Sequence, residues 1–332
     1  MQKAHEAKVC SEQVQENCFH TRHSPYVPDA MAGIQQKEFR MLKKRFFPRP
    51  AAALAIFSAL LTATLAAAAD DFDLLVYNTH GLPGWIAGDD PEARFPVIGG
   101  HADRYDLTLL QEDFKHHEKL LEGTGASVVV RGSNSRMPWC ALCSGDGLTT
   151  ISRLPKNWQP EIDKYAFDTC SGWLTGANDC LATKGFQLLR LTTPQGGRLF
   201  VVNTHMDAGD GDGDRKARQA QLETIRAVIE REVADHALIV AGDLNLDADN
   251  PLDRALLDSF MQNLGLVDSG AHPTSPTNWE ILDYILVRSG PNVRVTVREA
   301  GEDLALIHNG TPLSDHPALF ARFSLQPTDP TP

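Results

Sequence analysis

The chain reads as an α/β protein made of two packed, mixed β-sheets with helices outside. Three observations predict this. Strand-like and helix-like segments alternate from residue 70 to the C-terminus without an internal repeat or long linker. The strand-like runs are short and almost wholly apolar, as expected of strands buried on both faces. The order is not a strict βαβ alternation, because hairpins and crossovers are combined, and two sheets packed face to face accommodate that mixture.

Along the chain, Phe72–Asn78 (FDLLVYN) is a short apolar strand, residues 91–104 form a helix, and Leu107–Gln111 (LTLLQ) is a buried strand running into Glu112. Ser127–Arg131 and Gly147–Ser152 are further strands. Gly185–Thr192 and Arg198–Thr204 make a hairpin about the turn Pro194-Gln195-Gly196-Gly197. From Asp214 to Ala234 a helix is predicted by apolar residues at Ala217, Ala220, Ile225, Val228, Ile229 and Val233. Ala237–Ala241 is a strand, Pro251–Leu264 a helix, and Ile281–Val287, Val293–Val297 and Ala318–Phe323 are strands.

Residues 1–69 differ from the rest. From Met41 a basic start (MLKKRFFPRP) leads into an uncharged apolar run, Ala51 to Leu65, and a small-residue end at Ala67-Ala68-Ala69. These are the three parts of a secretory signal peptide, and the run is short of the ~20 apolar residues a membrane span needs. Three regions are therefore expected: a leader or non-native extension over 1–40, a signal peptide over 41–69, and one exported domain over 70–332, periplasmic or secreted. Without residues 1–69, which hold nine basic and five acidic side chains, 22 basic and 38 acidic remain, a formal net charge of −16. Such a surface has no general attraction for nucleic acid or anionic lipid. Cys140, Cys143, Cys170 and Cys180 remain in that domain. An even count in an exported chain reads as two disulfides of open connectivity, with a four-cysteine zinc site as the rival.

The residues at the ends of the buried runs signal the chemistry. One run ends at Asn78, one leads into Glu112, one into His205, and one into Asp243 and Asn245; Asp283 and the pair Asp315-His316 join them. Several strands delivering acids, amides and imidazoles point to a shared site. The residue types suit phosphate ester hydrolysis. A hard cation such as Mg²⁺ offsets the ester's negative charge and binds one or two carboxylates, for which Glu112 and Asp315 are candidates. His316 held by Asp283 suits a general base. Asn78, Asn245 and His205 suit N–H donors to phosphoryl oxygens.

Six motifs in this order, YNTHGLP, LLQED, NTHMDAG, GDLNLD, LDYILV and LSDHPAL, resemble the endonuclease/exonuclease/phosphatase superfamily from Asp73 to about Phe323. The resemblance implies a four-layer αββα sandwich of the DNase I-like kind. Within that group the chain is most similar to the bacterial neutral sphingomyelinases. The carrying segments are Ser144 to Pro155, Asp179 to Phe186, and the helix after His205 with Ala217-Arg218-Gln219. The resemblance implies Glu112 as the Mg²⁺ ligand, with Mn²⁺ or Co²⁺ as substitutes, Asn78 and Asn245 on the phosphate, and Asp243 positioning the water. It further implies His316 as base, His205 on the phosphoryl or leaving group, Asp315 on the metal side, and Asp179 with Lys184 as a supporting or regulatory pair. The expected partner is a phospholipid or other phosphodiester, met transiently at a membrane surface by a monomer, with no stable nucleic-acid partner.

Two departures stand out. Ser289 to Leu313, where membrane-attacking relatives often carry an aromatic hairpin, has no Trp, Phe or Tyr. The stretch Asp207 to Asp214 (DAGDGDGD) has EF-hand spacing at Asp210, Asp212 and Asp214, but Arg215 and Gln221 occupy its required Gly and Glu positions. It reads as a solvated loop. His80 reads as a loop histidine, His101, His116 and His117 as solvated, His272 and His308 as unpartnered loop positions, and Trp85 and Trp139 as local packing. The alternatives are a DNase-like nuclease, a small-phosphoester monoesterase, and a non-catalytic module on the same fold. The first two need basic residues around phosphates, and Arg215, Lys216 and Arg218 form the only short basic cluster of the 70–332 domain.

Overall fold

A computed structural model describes residues 70–133, 144–172, 179–274, 280–308 and 310–328. The expected leader and signal peptide, Cys140, Cys143 and Trp139 lie outside them. The elements in chain order are β1 (Asp70–Asn78), α1 (Gly84–Ala87), α2 (Pro91–Ala102), β2 (Leu107–Gln111), α3 (His117–Gly123), β3 (Val128–Arg131), β4 (Thr149–Ser152) and β5 (Glu161–Ala166). Then come β6 (Gly185–Thr192), β7 (Arg198–His205), α4 (Asp212–Val228), β8 (Ala237–Asp243), α5 (Pro251–Leu264) and β9 (Val267–Asp268). The last are β10 (Asp283–Arg288), β11 (Val293–Glu302), β12 (Ile307–His308), β13 (Thr311–Pro312) and β14 (Leu319–Pro327).

Two six-stranded sheets result, ordered β11-β14-β1-β2-β4-β3 and β5-β6-β7-β8-β10-β9. Both are mixed: β1 pairs with β2 and β7 with β8 in parallel, and the other neighbours are antiparallel. Alternation along each strand explains the layers. In β1, Phe72, Leu74 and Val76 face a core shared with Leu189, Val201, Ile239 and Ile285 of the second sheet. Leu75 and Tyr77 face the other way and pack against Phe95, Ile98 and Ala102 of α2. The second sheet likewise turns Leu188, Val202 and Val240 toward Leu222 and Ile225 of α4 and Leu257 and Phe260 of α5. Helix, sheet, sheet, helix is the four-layer sandwich that the resemblance implied.

The helices start and stop where local chemistry directs. Asp90 caps α2, accepting from the Ala93 amide at 3.2 Å, with Pro91 in the first turn. Asn250 and Pro251 begin α5, and Gly265, at φ 64°, ends it. The helix expected over 214–234 divides: α4 ends at Val228, and Ile229–Val233 forms a π-helical turn. The sequence pattern does not mark α1, α3, β5, β9 or the β12–β13 ladder. These are short, and β5 alternates in exposure (eieeie), so it lacks an apolar run to mark it.

The acidic stretch is only in part the solvated loop expected: residues 210–213 are exposed, but its two ends are buried. Asp207 is fully buried and accepts from Ser171 N at 2.6 Å and Gln221 Nε2 at 2.7 Å, and Asp214 bonds Gly211 N at 3.0 Å at the start of α4. The expected solvation of three histidines is also corrected. His101 meets Asp303 at 2.5 Å, His117 meets Asp113 at 2.5 Å, and His116 is buried against Phe95. Each lies on the inner side of a helix end, where it finds a carboxylate or a ring. Trp85, expected to pack, is 83 % exposed.

Candidate active site

Strand register assembles the site. On the second sheet His205 of β7 is the register partner of Asp243 of β8, and Asp243 is the partner of Asp283 of β10. Three functional groups therefore stand in one row across three strands. On the first sheet Asn78 is paired with Gln111, so Glu112 lies one residue beyond that row. The sheets meet at this level. Asn78 Nδ2 donates to Asp243 Oδ2 at 2.9 Å and to Glu112 Oε1 at 3.3 Å. Beneath it a buried polar seam ties the sheets: Gln111 Nε2 donates to Asn203 Oδ1 at 2.7 Å, and Asn203 Nδ2 to Gln187 Oε1 at 3.1 Å. Thr150 Oγ1 also donates to Gln187 Oε1, at 2.7 Å. The strand-end pattern does not single out Gln111, Gln187 or Asn203; polar residues inside apolar runs are their only signal.

The backbone is bent where chemistry would sit. His80, Glu112 and Asn245 have φ of 49°, 55° and 49°, three of the four non-glycine residues with positive φ among the described residues. Such conformations persist only where surroundings enforce them, and they cluster at functional sites. Gly242, at φ 134°, lets β8 approach β7 just before Asp243; a Cβ there would lie 2.0 Å from Thr204 O.

His316 Nδ1 bonds Asp283 Oδ2 at 2.8 Å, and its Nε2 lies 3.8 Å from Asp243 Oδ2. Burial disfavours the charged ring, but Asp283 and Asp243 outweigh it and hold the His316 pKa well above the usual imidazole value. Asp243 is pushed up to about 7, by burial first and by the Asp283 charge, against the pull of His316. His205 is depressed well below the ordinary value, by burial, then by Lys184 and His316, so its ring is neutral.

Lys184 points at that ring. It pairs with Asp179 at 2.5 Å, donates to Met206 O at 2.6 Å, and lies 3.1 Å from His205 Nε2. An ammonium has three donors and no acceptor, so His205 Nε2 accepts here. The expected pair Asp179 and Lys184 is therefore formed, both side chains 5 % exposed, and it abuts the site. His205, expected to donate to a phosphoryl oxygen, offers Lys184 a lone pair instead, and its Nδ1 is buried without a partner. Donation from Nε2 requires that contact to open. Cys170–Cys180 is a disulfide with a Cα separation of 5.2 Å, and Cys180 directly follows Asp179.

Asn245 is held over Asp243: its amide N donates to Asp243 Oδ1 at 2.9 Å, and its Nδ2 to Met206 O at 2.9 Å. One Nδ2 hydrogen remains for a ligand. His80 proves to be more than a loop histidine. Its Nδ1 bonds Asp315 Oδ2 at 2.9 Å and lies 3.9 Å from Glu112 Oε2. The Asp315 bond raises the His80 pKa against the effect of burial. Ser314, which had no expected role, donates from Oγ to Asn78 O at 2.7 Å.

A hard cation fits on one side of this site. Glu112 Oε2 is buried with no hydrogen-bond partner, a carboxylate oxygen whose desolvation calls for a cation. Asp315 stands beside it, with Oδ2 engaged by His80, so metal binding through that oxygen would displace the His80 bond. Asp243, Asp283 and His316 also bring one ligand atom each within 4.8 Å of one another. There, however, Asp283 Oδ2 and His316 Nδ1 bond each other, an arrangement suited to moving protons.

The family model for the endonuclease/exonuclease/phosphatase family matches residues 75–316. The chain belongs to this family. It is 28% identical over 264 residues to proteins named sphingomyelinase from Mycobacterium tuberculosis and Mycobacterium bovis, covering 74% of this chain and 51% of theirs. It thus spans about half the length of these curated relatives. Among solved structures, sphingomyelinase C from Streptomyces griseocarneus superposes with a TM-score of 0.56 at 21% identity, covering 76% of this chain and 99% of that one. A Staphylococcus aureus beta toxin mutant with bound magnesium ions gives 0.56 at 17% identity, covering 78% and 100%. Both likenesses establish the αββα fold.

Proposed function

We propose that the protein is an exported, Mg²⁺-dependent phosphodiesterase that hydrolyses a sphingomyelin-type phosphodiester. The carrying observation is the Asp283–His316 dyad facing Asp243, with Asn78 and Glu112 across the sheet junction. Once deprotonated, His316 Nε2 takes a proton from water, while Asp283 keeps the other ring nitrogen protonated and orients it. The hydroxide oxygen adds at phosphorus, the bond from phosphorus to the leaving alkoxide breaks, the alkoxide takes up a proton from solvent, and His316 returns its proton to solvent. Asp243 orients the water; Asn78 and Asn245 offer amide hydrogens to the phosphoryl oxygens. Mg²⁺ on Glu112 would supply charge to those oxygens. Lys184, behind the neutral His205, adds positive charge on the leaving-group side.

The site supports a lipid over a nucleic acid. In the one short basic cluster, Arg218 is buried and pairs with Asp253 at 3.2 Å, and Arg215 pairs with the same carboxylate at 3.1 Å. Neither is available to line a phosphate track. Trp85, with the half-exposed Ile86, instead presents an apolar tip seven residues after Asn78. Tryptophan suits a membrane–water interface. Asp89, Asp90 and Glu92 are exposed beside the tip, which favours a zwitterionic over an anionic surface. That tip would replace the aromatic hairpin missing from 289–313. Export is supported by the signal-like segment and by the Cys170–Cys180 disulfide.

The test is direct. The oxidised protein is assayed with sphingomyelin vesicles, sphingomyelin in detergent and plasmid DNA, each with Mg²⁺ or EDTA. Mg²⁺-dependent release of phosphocholine supports the proposal; DNA cleavage without lipid turnover overturns it.

A further inference from the structure

Arg94 lies on α2, outside every motif that marked the site, yet its side chain is 7 % exposed and reaches the loops that carry the site. All five of its N–H bonds have acceptors. Nη1 donates to Thr79 O and, at 3.0 Å, to Leu313 O. Nη2 donates to His80 O and, at 3.4 Å, to Asp89 Oδ1; Nε donates to Asp89 Oδ2 at 2.8 Å. Thr79 and His80 directly follow Asn78, and Leu313 directly precedes Ser314-Asp315-His316. One guanidinium therefore grips two catalytic loops that are more than two hundred residues apart in sequence.

The surroundings give this grip consequence. The same loops are joined by the Ser314 Oγ bond to Asn78 O and by the His80 ring on Asp315. Gly81 donates to Glu112 O at 3.0 Å, and a Cβ on Gly81 would stand 2.2 Å from that oxygen. Shifting the His80 carbonyl would thus move Asn78, Glu112 and Asp315 together. The guanidinium's rigid fork matches three carbonyls and a carboxylate at once; an ammonium has three donors and no fixed plane.

We propose that Arg94 is a positioning residue for the catalytic set: it holds the Asn78–Gly81 and Leu313–His316 loops in one register, and Asp89 sets its aim. That these loops do chemistry rests on the function proposed above; the clamp itself does not.

Hydrogen–deuterium exchange of the full chain reads the clamp without activity. Arg94→Lys is expected to raise exchange in both 78–82 and 311–318, and to leave β6 and β8 unchanged. Turnover of bis(p-nitrophenyl) phosphate with Mg²⁺ should lose about tenfold to hundredfold in kcat, with KM nearly constant, because displacement of catalytic groups by about 1 Å costs rates of that order. Asp89→Asn should show the same pattern at smaller amplitude. Asp89 is 39% exposed, so this variant carries the test if Arg94→Lys fails to fold. The surface change Arg254→Lys should alter neither readout. The proposal is overturned if either loop keeps wild-type exchange, if exchange rises uniformly across the sheets, or if kcat is unchanged while both loops loosen. A wild type inert toward every phosphodiester would sink the proposed function, and exchange would still judge the clamp.

Discussion

Asp283→Asn removes one negative charge and leaves the shape of the dyad nearly intact. Asp283 accepts from His316 Nδ1 at 2.8 Å with 1 % of its side chain exposed, so the bond is charge-assisted and dry. A hydrogen bond to a charged group is worth about 1.5–3 kcal/mol, and about 1.4 kcal/mol is a factor of ten in rate. The plateau kcat should therefore fall by about tenfold to about 150-fold. The pH profile should change as well. In the wild type the Asp283 and Asp243 charges hold the His316 pKa well above the ordinary value, so the basic ring appears only above the usual imidazole range. Without the Asp283 charge the His316 pKa falls, and the acid limb of kcat/KM moves to lower pH. Rates on sphingomyelin in detergent with Mg²⁺, measured from pH 5 to 10, read both effects. A variant with a plateau within about twofold of wild type and an unmoved limb would falsify the dyad as the source of the base.

Further predictions concern separate parts of the molecule. Glu112→Gln should weaken Mg²⁺ binding by at least about tenfold in titration calorimetry, since a neutral amide is a poor ligand for a hard cation; an unchanged Kd would place the metal elsewhere. Trp85→Ser with Ile86→Ser should abolish sedimentation with zwitterionic vesicles while preserving turnover in detergent; loss of both would mean the tip belongs to the catalytic site. Asp303 accepts from His101 at 2.5 Å and Tyr105 at 2.6 Å, and these bonds outweigh burial and hold its pKa at about 2. A depressed carboxyl pKa stabilises the fold above its unfolded value near 3.8 and loses that contribution as pH falls through about 2. Asp303→Asn should therefore lower unfolding stability in urea by about 1.5–3 kcal/mol at pH 7, with the difference closing toward pH 2; a constant difference would assign the effect to packing.

The candidate site was legible in sequence because its polar groups stand at strand ends. Asn78, His205, Asp243 and Asp283 each sit beside an apolar run, and the period of the run announces the strand. The residues that hold them in place were not legible. Arg94 lies in a helix without a strong apolar stripe, and its partners, Asp89 apart, are backbone carbonyls, which leave no mark on side-chain pattern. His101 looked solvated because its acceptor, Asp303, is 202 residues away.

By itself the sequence determined two packed sheets with helices outside and the group of side chains at the strand ends, since apolar periodicity and residue type are local properties; the αββα order was implied by the family resemblance. Only the tertiary structure decided how those groups act on one another. The His205 pKa is depressed because burial and Lys184 meet at its ring, and the His316 pKa is raised well above the ordinary imidazole value because register brings two carboxylates to it. Glu112 keeps a carboxylate oxygen free because no neighbouring donor reaches it. Electrostatic environment depends on distance through space, and strand register sets those distances.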